Sequence, residues 1–228
     1  NEPLLLWRSS SQWLGGLFFL VATIGTIGSK QIKIKPLHLV FGGNLGSNFY
    51  NNFNYNFLRI LAIYFFSTIF VIFLYSFINI RLLDAFNLAF TTISSGGFIS
   101  SGSLSNTVKS NLQIFITSLT LLLPILNFYL LFNIFTKKFE FKKHQEDLHL
   151  IIMIILLTLF LYFFIIPDES VANVFFAVTS SISTSGISTY SSNFDVSLFF
   201  IILTIVGGSL ISASSGYKYI RLYILLKI

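Results

Sequence analysis

Cysteine is absent from this 228-residue chain. That excludes disulfide stapling, thiol catalysis and cysteine-based metal sites. Charge is scarce as well: Asp, Glu, Lys and Arg make up 10% of residues, whereas a soluble domain carries about 25%. Acidic residues are the scarcer sign, eight against fourteen Lys and Arg. Such a composition excludes a soluble enzyme, a disordered chain and a secreted disulfide module. What is present is apolar: 54% of residues are hydrophobic, 28 of them Phe, and the mean hydropathy is +0.82. This is the make-up of an integral membrane protein. The net charge of +6 is read as basic cytoplasmic loops and not as nucleic-acid binding, because no soluble basic domain exists to carry it.

A spanning helix needs about 20 mostly apolar residues. Five stretches meet that length: 9–29, 57–80, 110–136, 148–167 and 196–217, with Arg59 the single Lys, Arg, Asp or Glu inside them. Lys30, Lys33 and Lys35 follow the first, Lys137, Lys138, Lys142 and Lys143 the third, and Lys218, Arg221 and Lys227 the fifth. With Arg59, that side holds eleven basic residues against Glu140, Glu146 and Asp147. The other side holds Arg8, Arg81 and Lys109 against Glu2, Asp84, Asp168, Glu169 and Asp195. The basic side is expected to be cytoplasmic. Segments 84–105 and 170–192 then begin and end outside, each with moderate hydrophobicity. Both are expected to dip into the membrane and return, which backbone tolerates only where it is buried or lines water. No signal peptide is visible at Asn1, and 223–228 end without a polar tail. The chain is expected to be part of something longer.

The two dipping segments repeat. Phe86, Ile93, Ser94 and Gly97 recur 89 residues later as Phe175, Ile182, Ser183 and Gly186. Between them Thr91, Thr92 and Ser95 pair with Ser180, Ser181 and Thr184. The repeated unit is helix, dipping segment, helix, a device of channels and transporters. Each dip has an apolar first half, read as a half-helix, and then a small polar strip: Ser94, Ser95, Gly96 and Gly97, and Ser183, Thr184, Ser185 and Gly186. An ion filter needs carbonyl oxygens to replace the water around a cation. Glycine is expected in such strips because it reaches positive φ without steric cost. Half-helix C-termini aimed at the strips would favour cations.

At these residues the chain resembles the Trk/Ktr/HKT superfamily of potassium transporters, most closely the bacterial TrkH type. The segment from Leu4 to Gly16 is similar to the inner helix after the family's first filter. Thr92 to Ser100 and Ser183 to Thr189 resemble its second and third filters. Gly207, Gly208 and Ser209, through Ser212 and Gly216 to Lys218 and Arg221, resemble the interrupted inner helix of the third repeat. The resemblance covers the whole chain but about half of the family's length. It implies an all-α membrane fold: 1–29 as inner helix of a first repeat, 30–56 and 137–147 as cytoplasmic loops, and 57–136 and 148–228 as the second and third of four repeats. It also implies potassium as substrate with no cofactor in this chain, a gate at 207–216, a homodimer, a cytoplasmic nucleotide-binding regulatory subunit and the bacterial inner membrane. Ile187 stands where the family usually has Phe, and the gate region is poorer in glycine than usual. A sodium-selective relative and a nonconducting truncated remnant stay open beside potassium uptake, as does a bent but continuous helix beside the gate.

Other polar residues carry two readings each. Lys218 and Arg221 are either inner-mouth charges or anchors that snorkel to lipid phosphates. Arg8 and Gln12 either hold filter backbone or bond between helices. Asp84 and Asp195 are either cation-attracting mouth residues or helix caps. Pro124 is expected to kink its span, with Asn127 a helix contact or pore-facing. His144, Glu146, Asp147 and His149 are expected to form a solvated loop and not a metal site. A serine protease would need a general base within the spans, and none is present, so no enzyme is expected.

Overall fold

The computed structural model describes residues 2–27, 53–100, 104–136, 144–188 and 194–227. Among them the secondary structure is wholly helical, as the patterning predicts. In chain order the α-helices are α1 (Glu2–Ile27), α2 (Phe53–Phe77), α3 (Leu82–Ile93), α4 (Asn111–Ile125), α5 (Phe128–Thr136), α6 (Gln145–Phe160), α7 (Val171–Ile182), α8 (Phe194–Val206) and α9 (Tyr219–Lys227). A π turn, Leu161–Ile165, extends α6. The expected loops at 30–56 and 137–147 lie largely outside the described residues. Their described ends differ from expectation: α2 already begins at Phe53 and α6 at Gln145.

The short helices α3 and α7 sit at the centres of two cores. Ala85, Leu88, Ala89 and Ile93 of α3 are buried with Leu20 and Ile24 of α1 and Ile60, Tyr64 and Val71 of α2. Val174, Val178 and Ile182 of α7 are buried with Ile154 of α6 and Leu203 of α8. Both sets recur at three and four residues, the spacing of one helix face. α1 packs on α3 as α4 packs on α7, and α2 on α3 as α6 on α7. The outer faces are apolar too. Phe66, Phe70, Phe73 and Phe77 of α2 are exposed, as are Ile155, Leu156, Phe163 and Phe164 around α6. Water would not tolerate so large an apolar surface, and lipid would.

Two helices among the described residues are long and apolar enough to cross a membrane, Phe57–Phe77 and Gln145–Ile165. Two of the five expected spans differ. α1 is a continuous helix that carries the first expected span as far as Ile27. The expected span 110–136 is bent by 99° between α4 and α5. This is a break and not the expected kink. The fifth span is helical for 13 residues of α8 and then interrupted.

Candidate functional site

Both polar strips begin where a short helix is stopped by a left-handed residue. After α3, Ser95 has φ +58°, and after α7, Thr184 has φ +61°. The stop is a Schellman turn in both cases. The amide of Ser95 donates to the Thr92 carbonyl, and that of Gly96 to Thr91 at 2.8 Å. The amide of Thr184 donates to Ser181, and that of Ser185 to Ser180 at 3.1 Å. A hydroxyl then braces each strip from behind: Thr91 Oγ1 donates to the Phe98 carbonyl at 2.8 Å, and Ser180 Oγ to the Ile187 carbonyl at 2.5 Å. Each of these pairs is related by the 89-residue offset seen in the sequence. The carbonyls of Ser94, Ser95, Gly96, Gly97, Thr184, Ser185 and Gly186 meet no donor among the described residues. The Ser183 carbonyl differs, since it accepts from both Ser95 Oγ and Thr184 Oγ1.

The glycines act differently from expectation. Positive φ falls on Ser95 and Thr184, and among the strip glycines only on Gly186 at +65°. Gly97 is required by close approach: a Cβ there would lie 2.5 Å from the Ser185 carbonyl oxygen of the other strip. A Cβ on Gly96 would meet Gln12 Cγ at 2.7 Å, and one on Gly16 would meet Ser94 Cβ at 2.8 Å. α1 is thus pressed against the second strip. Neither of the two readings for Arg8 and Gln12 is carried by a hydrogen bond among the described residues; both side chains pack on the second strip. The Arg8 guanidinium lies 4.3 Å over the Phe98 ring, and Gln12 covers Gly96. Asp84 lies in the first turn of α3 and accepts from Ser100 Oγ at 2.5 Å, tying the end of the strip to the start of its own helix. The side chain of Asp195 is outside the described set. A cavity of about 260 Å³ opens beside Gly97, lined by Leu5, Arg8, Ser9, Asn87 and Phe98.

Between α8 and α9 the chain is not helical, so the bent but continuous helix is excluded. Gly207 (φ +66°) and Gly216 (φ +90°) sit at the two ends of the interruption. A Cβ on either would strike the backbone of the other, so the segment leaves and returns through one narrow neck. The segment crosses to the break after Pro124. Ser209 N–H donates to the Ile125 carbonyl at 2.9 Å, and Ser214 N–H to the Pro124 carbonyl at 3.1 Å. Phe128 N–H returns a bond to the Ile211 carbonyl at 2.7 Å. Each broken helix supplies the partners that the other has lost, as buried backbone requires. Asn127 is fully buried and is a structural contact: its Oδ1 caps α5 by accepting from Tyr129 N–H at 3.0 Å. The segment also touches a strip directly, because Ser215 donates to Thr184 Oγ1 from both its amide (3.0 Å) and its hydroxyl (2.9 Å).

The solvated loop expected around residue 146 is not there. His144, Glu146 and Asp147 are 3%, 4% and 2% exposed. Asp147 accepts from Asn127 N–H at 2.7 Å, and His144 Nε2 lies 3.1 Å from Asn133 Nδ2. Glu146 Oε1 accepts from Leu210 N–H at 2.9 Å. No three His, Asp or Glu among the described residues form a metal-holding group. Lys218 is no lipid anchor. It is 7% exposed, and its Nζ donates to Ser212 Oγ at 2.9 Å and to the Ser212 and Ser214 carbonyls. Arg221 is exposed. The burial arises because the first turn of α6 abuts a segment more than 60 residues later, a contact no local pattern signals.

The chain matches no protein-family model and no curated protein sequence. Among solved structures it superposes on the potassium transporter TrkH from Vibrio parahaemolyticus, with a TM-score of 0.75 and 21% identity. The alignment covers 99% of this chain and 48% of that one. The fold is that of TrkH. The chain spans about half the length of that structure. Within the TrkH fold, the two strips, the interrupted segment and the α4–α5 break form one polar centre enclosed by apolar helices. Its chemistry is that of oxygen dipoles, hydroxyls and carbonyls, with two buried carboxyl groups, Glu146 and Asp147, and the buried Lys218 amine at its edge. That inventory offers a cation a substitute for water.

Proposed function

We propose that the chain is the central part of a Trk/Ktr/HKT-type pore subunit that passes monovalent cations, potassium first, down their electrochemical gradient. The observation that carries this is the pair of strips. They share hydrogen bonds at a constant 89-residue offset, hold seven carbonyls that meet no donor among the described residues, and lie against an interrupted helix. A cation sheds water at the carbonyls of Ser94, Ser95, Gly96, Gly97, Thr184, Ser185 and Gly186, together with strips from repeats outside this chain. The Ser183 carbonyl joins only when its two hydroxyl donors let go. The 207–216 segment, with Gly207, Gly208, Ser209, Ser212 and Gly216, is the constriction beneath them. α3 and α7 end at the strips, so the negative ends of their dipoles favour cations. No step is enzymatic. The resemblance and the fold support the remaining context: the bacterial inner membrane, a homodimer and a cytoplasmic nucleotide-binding regulatory subunit.

The test is rubidium uptake by cells that express the intact protein and lack their own potassium uptake. Gly97→Asp and Gly186→Asp are each expected to abolish uptake while the amount in the membrane is unchanged. Uptake at the parental rate in both variants overturns the filter. Inhibition of rubidium uptake by equimolar sodium would replace potassium with sodium as the preferred ion.

A further inference from the structure

Two buried ionisable side chains, one acidic and one basic, grip the interrupted segment. Glu146, in the first turn of α6, takes the Leu210 amide. Lys218, at the segment's own end, takes Ser212 and Ser214. The other tethers on the segment among the described residues are bonds between neutral groups: Ser209, Ser214 and Ile211 to the α4–α5 break, Ser215 to Thr184, and the neck bonds of Tyr217 and Tyr219. Glu146 and Lys218 also lie close enough to interact with each other. Among the described residues the carboxyl makes one bond to the segment, from the Leu210 amide, while its Oε2 and Ser209 Oγ have no close partner. A hold of one bond on the segment is a hold that can be released.

We propose that Glu146 and Lys218 are positioning residues that latch the 207–217 segment in place from its two sides. Its departure from beneath the strips is then governed by the first turn of α6. Only the consequence for ion flow rests on the proposed function. The latch itself is a statement about position.

The absence of cysteine in this chain gives a direct test. Ala213, half-buried beneath the strips beside Ile93 and Tyr64, is replaced by Cys in the intact protein, with cysteines elsewhere removed. Modification by a membrane-impermeant thiol reagent is timed in inside-out vesicles. Glu146→Gln, which keeps volume, and Lys218→Met are each expected to speed modification at least threefold. A Val178→Cys control in α7 is expected to stay unreactive in both backgrounds, which a general loosening would not allow. If Glu146→Gln does not reach the membrane, Glu146→Asp, whose shorter carboxylate withdraws from Leu210, takes its place with the same expectation. Parental rates in either variant, or reactivity of the control, overturn the latch. Faster modification with unchanged rubidium uptake supports the latch and overturns the gate role instead.

Discussion

Ser95 and Thr184 occupy backbone that L-residues with a Cβ avoid, at a cost of roughly 1–2 kcal/mol each. For a β-branched Thr this is a strong outlier. Each is retained for its hydroxyl: Ser95 Oγ reaches the Ser183 carbonyl, and Thr184 Oγ1 receives Ser215. A glycine at these positions would relax the backbone and cut the strips loose from their neighbours. The two strip glycines that recur in the sequence are needed for different reasons, so they should respond differently to the smallest side chain. Gly186 has open space around its Cβ position but a φ of +65°, so Gly186→Ala is expected to destabilise by about 1–2 kcal/mol. Gly97 faces the Ser185 carbonyl, where only a shift of one strip makes room. Gly97→Ala is therefore expected to lower the thermal midpoint in detergent further than Gly186→Ala. Equal midpoints would mean that the strips do not touch at Gly97.

Elements here are completed by other elements. α4 has 15 residues and is about 22 Å long, too short to cross a hydrocarbon core of about 30 Å. Its end is stable only because the 207–217 segment accepts and donates across the break. Pro124 was legible as a disturbance, since proline lacks an amide. The 99° bend was not legible, because it depends on bonds from Ser209 and Ser214 more than 80 residues away. Asn127 restarts the chain as α5 through its cap on Tyr129. Asn127→Ala is expected to destabilise by about 1 kcal/mol, read by unfolding in detergent. Asn127→Asp keeps the acceptor but adds a charge beside Asp147, so it should be the worse of the two. A reversed order would remove the capping role.

For the whole molecule, apolar faces inside and out leave lipid as the surrounding medium, and charge sidedness predicts the direction of insertion. Single cysteines test that direction. A Cys at Asn106, exposed after α3, is expected to react with an impermeant reagent added outside intact spheroplasts. A Cys at Lys142 is expected to react only after lysis. The opposite pattern would invert the orientation and put the strips at the inner face. The two units of the chain are built alike, with α1 resting on α3 as α4 rests on α7. The strips therefore meet because their supporting helices are packed in the same way.

By itself the sequence determined what is local. Long apolar runs specify helices in lipid, and the 89-residue recurrence specifies two strips that start with the same turn and share the same brace, because Schellman turns and hydroxyl braces use residues within seven positions of each other. The tertiary structure decided what depends on distant neighbours. It buried Glu146 and Asp147, which read locally as part of a solvated loop, against Leu210 and Asn127, and it buried Lys218, which read locally as a mouth charge or a lipid anchor, against Ser212 and Ser214. It turned a proline kink into a break filled by another helix's backbone. It also made Gly97 a point of contact between strips. Burial and contact are properties of what packs against a residue, and residue order expresses them only where the partner is close in the chain.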